Sequence, residues 1–340
     1  MKELANKTIL VTGGAGSIGS EIVKQALKYK VDNIIVLDID EIKSFILKKR
    51  ISDDRVKITV GDIRDYRSLK PVFDTFDIDI IYHVAAMKHV VVCEDAPIEA
   101  VKTNVYGTQN IIDLAIEYKI PKTITISTDK AANPQNVMGM TKFIAERITL
   151  NANNFSKNNQ AFSCVRFGNV ANTRGSVIPI FIDNLLNNNP IVVTDPNVTR
   201  FVMRMSDSID LIFKATKYAL GREIFIFKMD AFKLGDLVDV IKNRIATRLK
   251  ISKKDLQIKT MGLCPGEKLH EDLIGNLELN NVYELDGMYA IIPKNNNLSK
   301  YPNTQKVKLS SYTSNTVKLI SKDEIEKIVT EYLQDLSVKF

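Results

Sequence analysis

The chain has 340 residues, of which 45% are hydrophobic and 26% charged, so it can bury a large core in one large or two interleaved domains. The formal net charge is +7, but the lysines are scattered and no basic run is interleaved with aromatic residues, which argues against nucleic-acid binding. No apolar run approaches the roughly 18 residues of a membrane span, and residues 1–7 are too polar for a signal peptide, so we expect no membrane partner.

The cysteines and histidines indicate a reducing compartment and no metal site. Cys93, Cys164 and Cys264 are far apart and odd in number, which does not fit a disulfide framework. Together with the three histidines they show no zinc-ligand spacing. We therefore expect a cytoplasmic protein without a bound metal.

The first elements of the chain predict a nucleotide-binding unit. An apolar run at residues 8–11 leads into a turn with Gly13, Gly16 and Gly19, and a helix and a strand that ends in Asp38 follow. Glycines let the backbone approach a pyrophosphate, and the N-terminus of the helix supplies N–H donors. Asp38 lies 19 residues beyond Gly19, close to the interval of about 20 expected for a carboxylate that binds the adenosine ribose.

The carboxylate of Asp38 also selects between cofactors. It accepts a hydrogen bond from a ribose 2′-hydroxyl but repels a 2′-phosphate, and Asp40 and Glu41 increase that repulsion, so we predict NAD over NADP. Asp62, after the third predicted strand, is interpreted either as a contact to the adenine edge or as a turn aspartate. The predicted cofactor contacts are Gly13, Gly16, Ser17, Ile18, Gly19, Asp38, Asp62, Ile63, Ala85, Ala86 and Lys142.

Strands and helices alternate as far as Asn169, which predicts an α/β fold with a doubly wound parallel sheet. Beyond Asn169 the alternation breaks down into turn-rich stretches. We predict a dinucleotide-binding domain at residues 1–170, to which residues 206–250 return. A smaller, interleaved substrate domain at 171–205 and 251–340 would close over the carboxyl edge of the sheet.

The strand predicted at residues 123–128 ends in three polar side chains, Thr128, Asp129 and Lys130. In open parallel sheets the chemistry takes place just beyond the carboxyl ends of the strands. On these residues alone, a solvated strand end in which Asp129 and Lys130 neutralise each other is an equally good interpretation.

Several further motifs accompany this strand end. They are Thr12–Gly14, Ala85–His89, Thr103–Thr108, Ser127–Ala131, Arg166–Val170, Arg174–Ser176, Thr194–Pro196, Thr199–Phe201 and Pro265–Leu269. Together they resemble the extended short-chain dehydrogenase/reductases, which have a Rossmann-type sheet. More narrowly, the chain resembles the 4,6-dehydratases that act on UDP-N-acetylglucosamine in polysaccharide, flagellin-glycan and sialic-acid-like sugar pathways. The Thr128-Asp129-Lys130 triplet and the block at 265–269 are far more specific to those dehydratases than the glycine and asparagine motifs, which are common to the superfamily.

Two positions depart from the family pattern. Cys264 stands where most relatives have an arginine before Pro265, which puts one nucleotide contact in doubt. Met138 stands where the tyrosine of a Tyr-x-x-x-Lys pair usually takes the hydroxyl proton, with Lys142 as the lysine. The same methionine occurs in a branch of these dehydratases that resembles this chain in its use of NAD. That branch is associated with retention of configuration at C5.

The resemblance implies oxidation of the sugar at C4, elimination of water across C5 and C6, and return of hydride to C6. Asp129 is the implied general acid, Lys130 the implied base at C5, and Thr128 a hydrogen-bond partner of the C4 oxygen. A protonated Asp129 beside a neutral Lys130 costs about 8 kcal/mol in water, so the mechanism requires a closed, dry site. Because a thioether is no base, the C4 proton leaves through Thr128 and water or to Asp129. The predicted catalytic residues are Thr128, Asp129, Lys130, Met138 and Lys142, the last gripping the nicotinamide ribose.

Four residues are predicted to bind the substrate. Lys88, Arg200 and Glu267 are candidates for the nucleotide end, since arginine suits phosphate and a carboxylate suits a ribose diol. Asn169 is expected to meet the sugar phosphate or the acetamido group. A solvated surface charge is the alternative interpretation of Lys88 and Arg200. The expected substrate is a nucleotide-linked N-acetylhexosamine. Both UDP and GDP stay open as the nucleotide, because no residue determines which nucleobase is bound.

Two other functions compete with dehydration. A nucleotide-sugar epimerase needs the tyrosine and no acid–base pair for elimination, so Met138 together with Asp129 and Lys130 favours dehydration. A non-catalytic NAD-sensing regulator predicts decay of the substrate motifs, yet Asn169 and Arg200 are present. Relatives usually pair through the helices that flank the active-site strand, so we expect a homo-oligomer.

Overall fold

The computed structural model describes residues 2–156, 160–252, 256–294 and 296–337. The strands are β1 (Thr8–Thr12), β2 (Asn33–Asp38), β3 (Val56–Val60), β4 (Ile80–His83), β5 (Lys122–Thr128), β6 (Ala161–Phe167), β7 (Asn169–Val170), β8 (Ile191–Val193), β9 (Thr199–Met203), β10 (Ile224–Ile226), β11 (Asp230–Lys233), β12 (Ile258–Thr260), β13 (Val282–Leu285), β14 (Met288–Ile291) and β15 (Gln305–Lys306). The α-helices are α1 (Ser17–Ala26), α2 (Glu41–Arg50), α3 (Tyr66–Thr75), α4 (Val90–Asp95), α5 (Pro97–Val101), α6 (Gly107–Glu117), α7 (Val137–Asn151), α8 (Val177–Leu186), α9 (Met205–Tyr218), α10 (Leu234–Val240), α11 (Ala246–Arg248) and α12 (Lys322–Ser337). Two π-helical turns cover Lys102–Tyr106 and Ile241–Ile245.

The largest sheet has ten strands in the order β15-β13-β14-β10-β6-β5-β4-β1-β2-β3. From β3 to β10 all neighbouring strands are parallel, whereas β14, β13 and β15 add in antiparallel pairs. The helices that connect the parallel strands cover both faces. The predicted doubly wound parallel sheet is therefore confirmed.

The core lies in two layers, one on each face of this sheet. Every residue of β1 and β6 is buried, as expected for strands covered on both sides. Successive side chains of a strand point to opposite faces. Accordingly Ile9 and Val11 belong to one apolar cluster, and Leu10 belongs to the other.

A smaller unit continues from the carboxyl edge of the large sheet. It contains a three-stranded sheet of β11, β9 and β7 and the separate pair β12 and β8. Helices α8, α10 and α12 pack in its own apolar cluster, which includes Phe181, Leu237 and Ile325. Because β7 starts directly after β6, this unit is placed next to the end of β5.

The division into two domains remains a prediction, but sheet membership does not follow the expected boundaries. Residues 206–250 are predicted to return to the dinucleotide-binding domain, yet β11 lies in the three-stranded sheet and α10 packs in the apolar cluster of the smaller unit. Strands β13, β14 and β15 lie in the segment assigned to the smaller domain, yet they extend the large sheet. Antiparallel strands need only a short turn between them and therefore escape a search for alternating strands and helices. The sequence signal for the hairpin of β13 and β14 is Asp286-Gly287, a two-residue turn in which both residues have positive φ.

In the four described segments no helix is long and apolar enough to cross a membrane. The same segments contain no group of three or more His, Cys, Asp or Glu side chains that could hold a metal ion.

Candidate active site

The junction of β1 and α1 leaves no room for a side chain at Gly13, in the turn, or at Gly19, in the first turn of α1. Gly13 has a φ of +63°, and a Cβ there would lie 2.8 Å from the backbone of Ala85. A Cβ on Gly19 would lie 2.3 Å from the carbonyl oxygen of Gly13. Gly16 caps α1, which begins at Ser17. The turn therefore presents bare backbone and a helix N-terminus, the geometry that binds a pyrophosphate.

Asp38 lies beside this turn at the end of β2. One of its carboxylate oxygens accepts a hydrogen bond from the N–H of Ala15 at 2.9 Å, and the other accepts one from the N–H of Asp40 at 3.0 Å. A carboxylate has about four acceptor positions, so it retains the capacity to bind hydroxyl groups. The predicted ribose-binding residue is thus held against the glycine turn.

Asp62 makes the contacts of a turn aspartate. The guanidinium of Arg64 lies 2.6 Å from its carboxylate. Hydrogen bonds from the Arg64 side chain hold the pKa of Asp62 below its usual value, so this carboxylate is ionised and already engaged. Ile63 is buried, and its side chain fills the space beside Gly107. Of the two interpretations of Asp62, these contacts favour the turn.

His83, which the sequence reasoning missed, joins three elements beneath the turn. Its Nδ1 lies 2.7 Å from the hydroxyl of Thr12, and its Nε2 lies 3.0 Å from the hydroxyl of Thr108. Because Thr108 donates its proton to the carbonyl of Asn104, it accepts from Nε2–H, and Nδ1 accepts from Thr12. Burial lowers the pKa of His83 to about 3, so the ring is neutral. It fixes β1, β4 and α6 to one another.

Asn104 ties the loop after β4 to α7 from its position in the first π-helical turn. Its side-chain oxygen accepts from the N–H of Met87 at 2.8 Å. Its amide nitrogen donates to the carbonyl of Met87 and to the hydroxyl of Thr141, both at 3.0 Å. These bonds hold the segment that contains Ala85 and Ala86 at the carboxyl edge of the sheet.

Thr128 ends β5, and Asp129 and Lys130 follow it in a 3-10 turn. Oδ1 of Asp129 accepts from the Thr128 hydroxyl at 2.8 Å, from the Lys130 backbone N–H at 2.9 Å and from the Lys130 ammonium at 3.1 Å. The side chain of Asp129 is 0% exposed and that of Lys130 is 17% exposed. Asp129 is therefore buried and Lys130 is largely shielded from solvent, which does not fit a solvated strand end.

Glu271 is a second carboxylate at Lys130, with its Oε1 3.3 Å from the ammonium. Burial alone would lower the pKa of Lys130, but the negative charges of Asp129 and Glu271 outweigh it and raise that pKa above its usual value. This arrangement therefore favours the ammonium form of Lys130, and the neutral amine that the proposed reaction needs stays a prediction. Sequence reasoning missed Glu271 because no local signal separates it from the other acids of its turn-rich stretch.

The first two turns of α7 contain Met138 and Lys142. Met138 is buried and packs with Cys93 and Ala100, as expected of an apolar filler. The ammonium of Lys142 donates to the carbonyl of Ile126 at 2.7 Å, on the strand that leads to Thr128. Burial lowers the pKa of Lys142.

Arg200 on β9 pairs with Glu267 in the loop after β12. Its Nη2 lies 2.8 Å from Oε1 of Glu267, which also accepts from the hydroxyl of Thr194 at 3.1 Å. Nη1 donates to the carbonyls of Thr199 and Leu269. The predicted nucleotide residues Arg200 and Glu267 are thus brought together as an ion pair.

The loop that contains Glu267 is attached to the segment after β5. The ammonium of Lys268 donates to the carbonyl of Ala132 at 3.1 Å. The side-chain amide of Asn136 donates to the carbonyl of Gly266 at 2.8 Å. With the contact between Lys130 and Glu271, these bonds close the smaller unit onto the end of β5.

The other two predicted substrate residues lie at different places. Lys88 donates to the carbonyl of Arg174 at 2.7 Å, and the guanidinium of Arg174 donates to the carbonyl of Ala15 at 3.0 Å. Lys88 therefore lies near the glycine turn, under a loop whose arginine was not among the predicted site residues. Asn169 begins β7 and pairs in register with Val202 of β9.

Comparison with known proteins places these features in a family context. A family model described as polysaccharide biosynthesis protein matches residues 9–293. An uncharacterized membrane protein of Methanocaldococcus jannaschii is 44% identical over 333 residues, which are 96% of this chain and 96% of that protein. A UDP-N-acetylglucosamine 4,6-dehydratase (inverting) of Campylobacter jejuni is 37% identical over 290 residues, 84% of this chain and 83% of its own length. A UDP-glucose 4-epimerase of Rickettsia akari is 32% identical over 342 residues, 97% of this chain and 98% of its own length.

A solved structure extends the match to three dimensions. The X-ray structure of Pen from Bacillus thuringiensis superimposes with a TM-score of 0.89 at 36% sequence identity, and the match covers 96% of this chain and 98% of that one. At this similarity the two chains share the fold.

Proposed function

Because the chain belongs to the polysaccharide biosynthesis protein family of extended short-chain dehydrogenase/reductases, we propose that it is an NAD-dependent nucleotide-sugar 4,6-dehydratase acting on UDP-N-acetylglucosamine. The observation that carries this proposal is the buried Asp129–Lys130 pair, 3.1 Å apart at the end of β5. Elimination of water needs an acid for the departing hydroxyl and a base for the neighbouring proton. The product is the 4-keto-6-deoxy sugar.

The residues of the glycine turn fit the proposed cofactor. Gly13 and Gly19 leave the close-approach space that a Cβ would fill, and Asp38 offers a carboxylate to a ribose without a 2′-phosphate. Lys142, anchored to β5, would hold the nicotinamide end. When bound, NAD supplies the acceptor for hydride from C4 and the donor that returns it to C6.

The remaining roles follow from the end of β5. Asp129 gives a proton to the leaving 6-hydroxyl, and Lys130 removes the proton from C5. Thr128 binds the C4 oxygen and, because its own hydroxyl lies 2.8 Å from Asp129, passes the C4 hydroxyl proton to that carboxylate. This route replaces the tyrosine whose position is taken by Met138.

At the nucleotide end, Arg200 would bind the diphosphate and Glu267 a ribose diol. Lys88, near the glycine turn, and Asn169, on β7, are proposed to contact other parts of the substrate. The nucleobase of the substrate is proposed to be uracil, with guanine as the alternative. Retention at C5 is proposed because Met138 is typical of that branch of the dehydratases.

A direct assay tests the proposal. Purified protein is incubated with NAD and either UDP- or GDP-N-acetylglucosamine, and the product is followed by the alkaline absorbance of a 4-keto sugar and by loss of water in mass spectrometry. We expect dehydration of the UDP-sugar, and a loss of at least about 100-fold in Asp129→Asn and Lys130→Met. If Lys130→Met still takes up solvent deuterium at C5 at the wild-type rate, the lysine is not the base.

C4 epimerisation is the second candidate, since a relative named UDP-glucose 4-epimerase covers 97% of this chain. It predicts the C4 epimer of the substrate with no loss of water. Recovery of that epimer alone in the same assay would replace the dehydratase proposal. If the protein binds NAD but forms neither product from any nucleotide sugar, a non-catalytic sensor is favoured.

We also propose a homo-oligomer. The helical segments that flank β5 carry exposed large apolar side chains, namely Ile98, Tyr106, Met140 and Ile144, and such patches mark association surfaces. Light scattering should give a multiple of the chain mass. A double variant with Met140→Glu and Ile144→Lys should lower that mass, and a wild-type monomer would refute the proposal.

A further inference from the structure

Lys130 has two carboxylate partners, where the proposed mechanism uses only one. Its ammonium lies 3.1 Å from Oδ1 of Asp129 and 3.3 Å from Oε1 of Glu271. Both acids are buried, with side chains 0% and 3% exposed. Each also has a second oxygen, Oδ2 of Asp129 and Oε2 of Glu271, that is buried without a hydrogen-bond partner in the described part of the chain.

Arg200 does not cancel the additional negative charge. Its Nε is 3.9 Å from Glu271, but its Nη2 is 2.8 Å from Glu267, so Arg200 and Glu267 balance each other. Lys130 is then left with two carboxylates, and the trio of Asp129, Lys130 and Glu271 has one negative charge in excess when both acids are ionised. A buried uncompensated charge is costly, and the proton that C4 oxidation delivers to Asp129 through Thr128 would neutralise it.

We infer that Glu271 is a positioning residue for the proposed dehydration. Its carboxylate provides the counter-charge of the Lys130 ammonium while Asp129 carries the acid proton. Without Glu271, a protonated Asp129 would leave Lys130 either as an unpaired buried cation or as a neutral amine. The neutral amine beside a neutral acid is the proton placement that costs about 8 kcal/mol in water. With Glu271 ionised, the trio is neutral while Asp129 holds its proton.

The same trio conserves protons during elimination. Lys130 passes a proton to Glu271, and its amine then takes the proton from C5 as the C5–H bond breaks. The C6–O bond breaks at the same time, and Asp129 gives its proton to the oxygen, which leaves as water. When hydride returns to C6, Lys130 gives a proton to C5 and recovers one from Glu271, so the three side chains end with the protons that they held before C4 was oxidised.

The decisive variant is Glu271→Gln, which keeps the shape of the side chain and removes its charge. The matched control is Asp272→Asn, which removes a neighbouring carboxylate that lies 2.8 Å from Lys268. Calorimetry should show that both variants bind UDP-N-acetylglucosamine within about threefold of wild type. In Glu271→Gln we expect dehydration to fall at least about 100-fold. A sugar oxidised at C4 that still has its 6-hydroxyl should accumulate in quenched samples, whereas Asp272→Asn should turn over within about threefold of wild type.

The outcomes separate this inference from the proposed function. If wild type forms no dehydrated sugar, the proposed function fails; if it does and Glu271→Gln dehydrates at the same rate, only the inference fails. Loss of C4 oxidation together with dehydration would indicate a packing role and would also overturn it. Should the glutamine variant not fold, Glu271→Asp keeps the charge and must retain at least about a tenth of the wild-type rate. A larger loss in a folded aspartate variant contradicts the inference.

Discussion

Two arginines that share an acid but differ in burial should contribute very differently to stability. Arg166 on β6 is fully buried, and its guanidinium lies 2.6 Å from Glu146 and 2.7 Å from Glu278. It also donates to the carbonyl of Leu273 at 3.0 Å, which ties β6 to the segment just after Glu271. Arg147 reaches the same Glu278 at 3.2 Å from an exposed position. We predict that Arg166→Met destabilises the protein severely and that Arg147→Met has little effect.

The magnitude follows from the carboxylate that is left behind. Methionine fills most of the volume of Arg166, but Glu146, with a side chain 0% exposed, loses its cation. A buried carboxylate without a cation becomes protonated when the chain folds. At pH 7, protonating a glutamate with an ordinary pKa of about 4.3 costs about 3.7 kcal/mol. This agrees with the roughly 3–5 kcal/mol lost when one partner of a buried ion pair is removed. An exposed pair such as that of Arg147 contributes about 0–1 kcal/mol.

The sign of the pH dependence gives a second check. At pH 7 the folded Arg166→Met variant binds one proton more than its unfolded state, so its stability relative to wild type rises as the pH falls. At pH 5 the same protonation costs about 1 kcal/mol, and most of the deficit should disappear. The assay is equilibrium urea unfolding followed by circular dichroism at both pH values. Equal losses in the two variants, or a deficit in Arg166→Met that does not change with pH, would refute the reasoning.

Three further changes address the proposed cofactor site, each measured by titration with NAD in the absence of substrate. Gly19→Ala places a Cβ 2.3 Å from the carbonyl oxygen of Gly13 and should weaken NAD binding more than about tenfold; unchanged affinity would mean that NAD does not use this turn. Asp38→Asn removes the charge that repels a 2′-phosphate and should lower the preference for NAD over NADP at least about tenfold; an unaltered ratio contradicts the role of Asp38. Arg174→Ala removes the guanidinium that donates to the carbonyl of Ala15 at 3.0 Å and should weaken NAD binding by about tenfold, and an effect confined to thermal stability would assign Arg174 to packing alone.

Features that depend on consecutive residues could be predicted from the sequence. The glycine turn, Asp38 at the end of β2 and Thr128 at the end of β5 each combine a strand pattern with the residues that follow it. Backbone sterics and strand periodicity determine such features locally. The parallel sheet could be predicted because strand patterns and helix patterns alternate repeatedly along the chain.

Features that depend on distant partners could not be predicted in this way. Glu271 is important only because the loop that contains it packs on the segment after β5, and its own neighbours in sequence give no sign of Lys130. The buried Arg166 with its two acids is a similar case, since three separate elements supply one ion cluster. The raised pKa of Lys130 follows in part from this packing, because Glu271 adds a second negative charge that the neighbours of Lys130 in the sequence do not reveal.

The loop from Pro265 to Glu271 connects substrate recognition to the charge balance at Lys130. In the free protein the Arg200–Glu267 pair is largely buried, with side chains 10% and 22% exposed, so the guanidinium is already engaged. A diphosphate would compete with Glu267 for Arg200, because phosphate offers arginine the same bidentate geometry as a carboxylate. Glu267 lies four residues before Glu271 in a loop that Lys268 fixes to the segment after β5. The proposed recognition of the nucleotide end and the counter-charge of Lys130 therefore depend on one and the same loop.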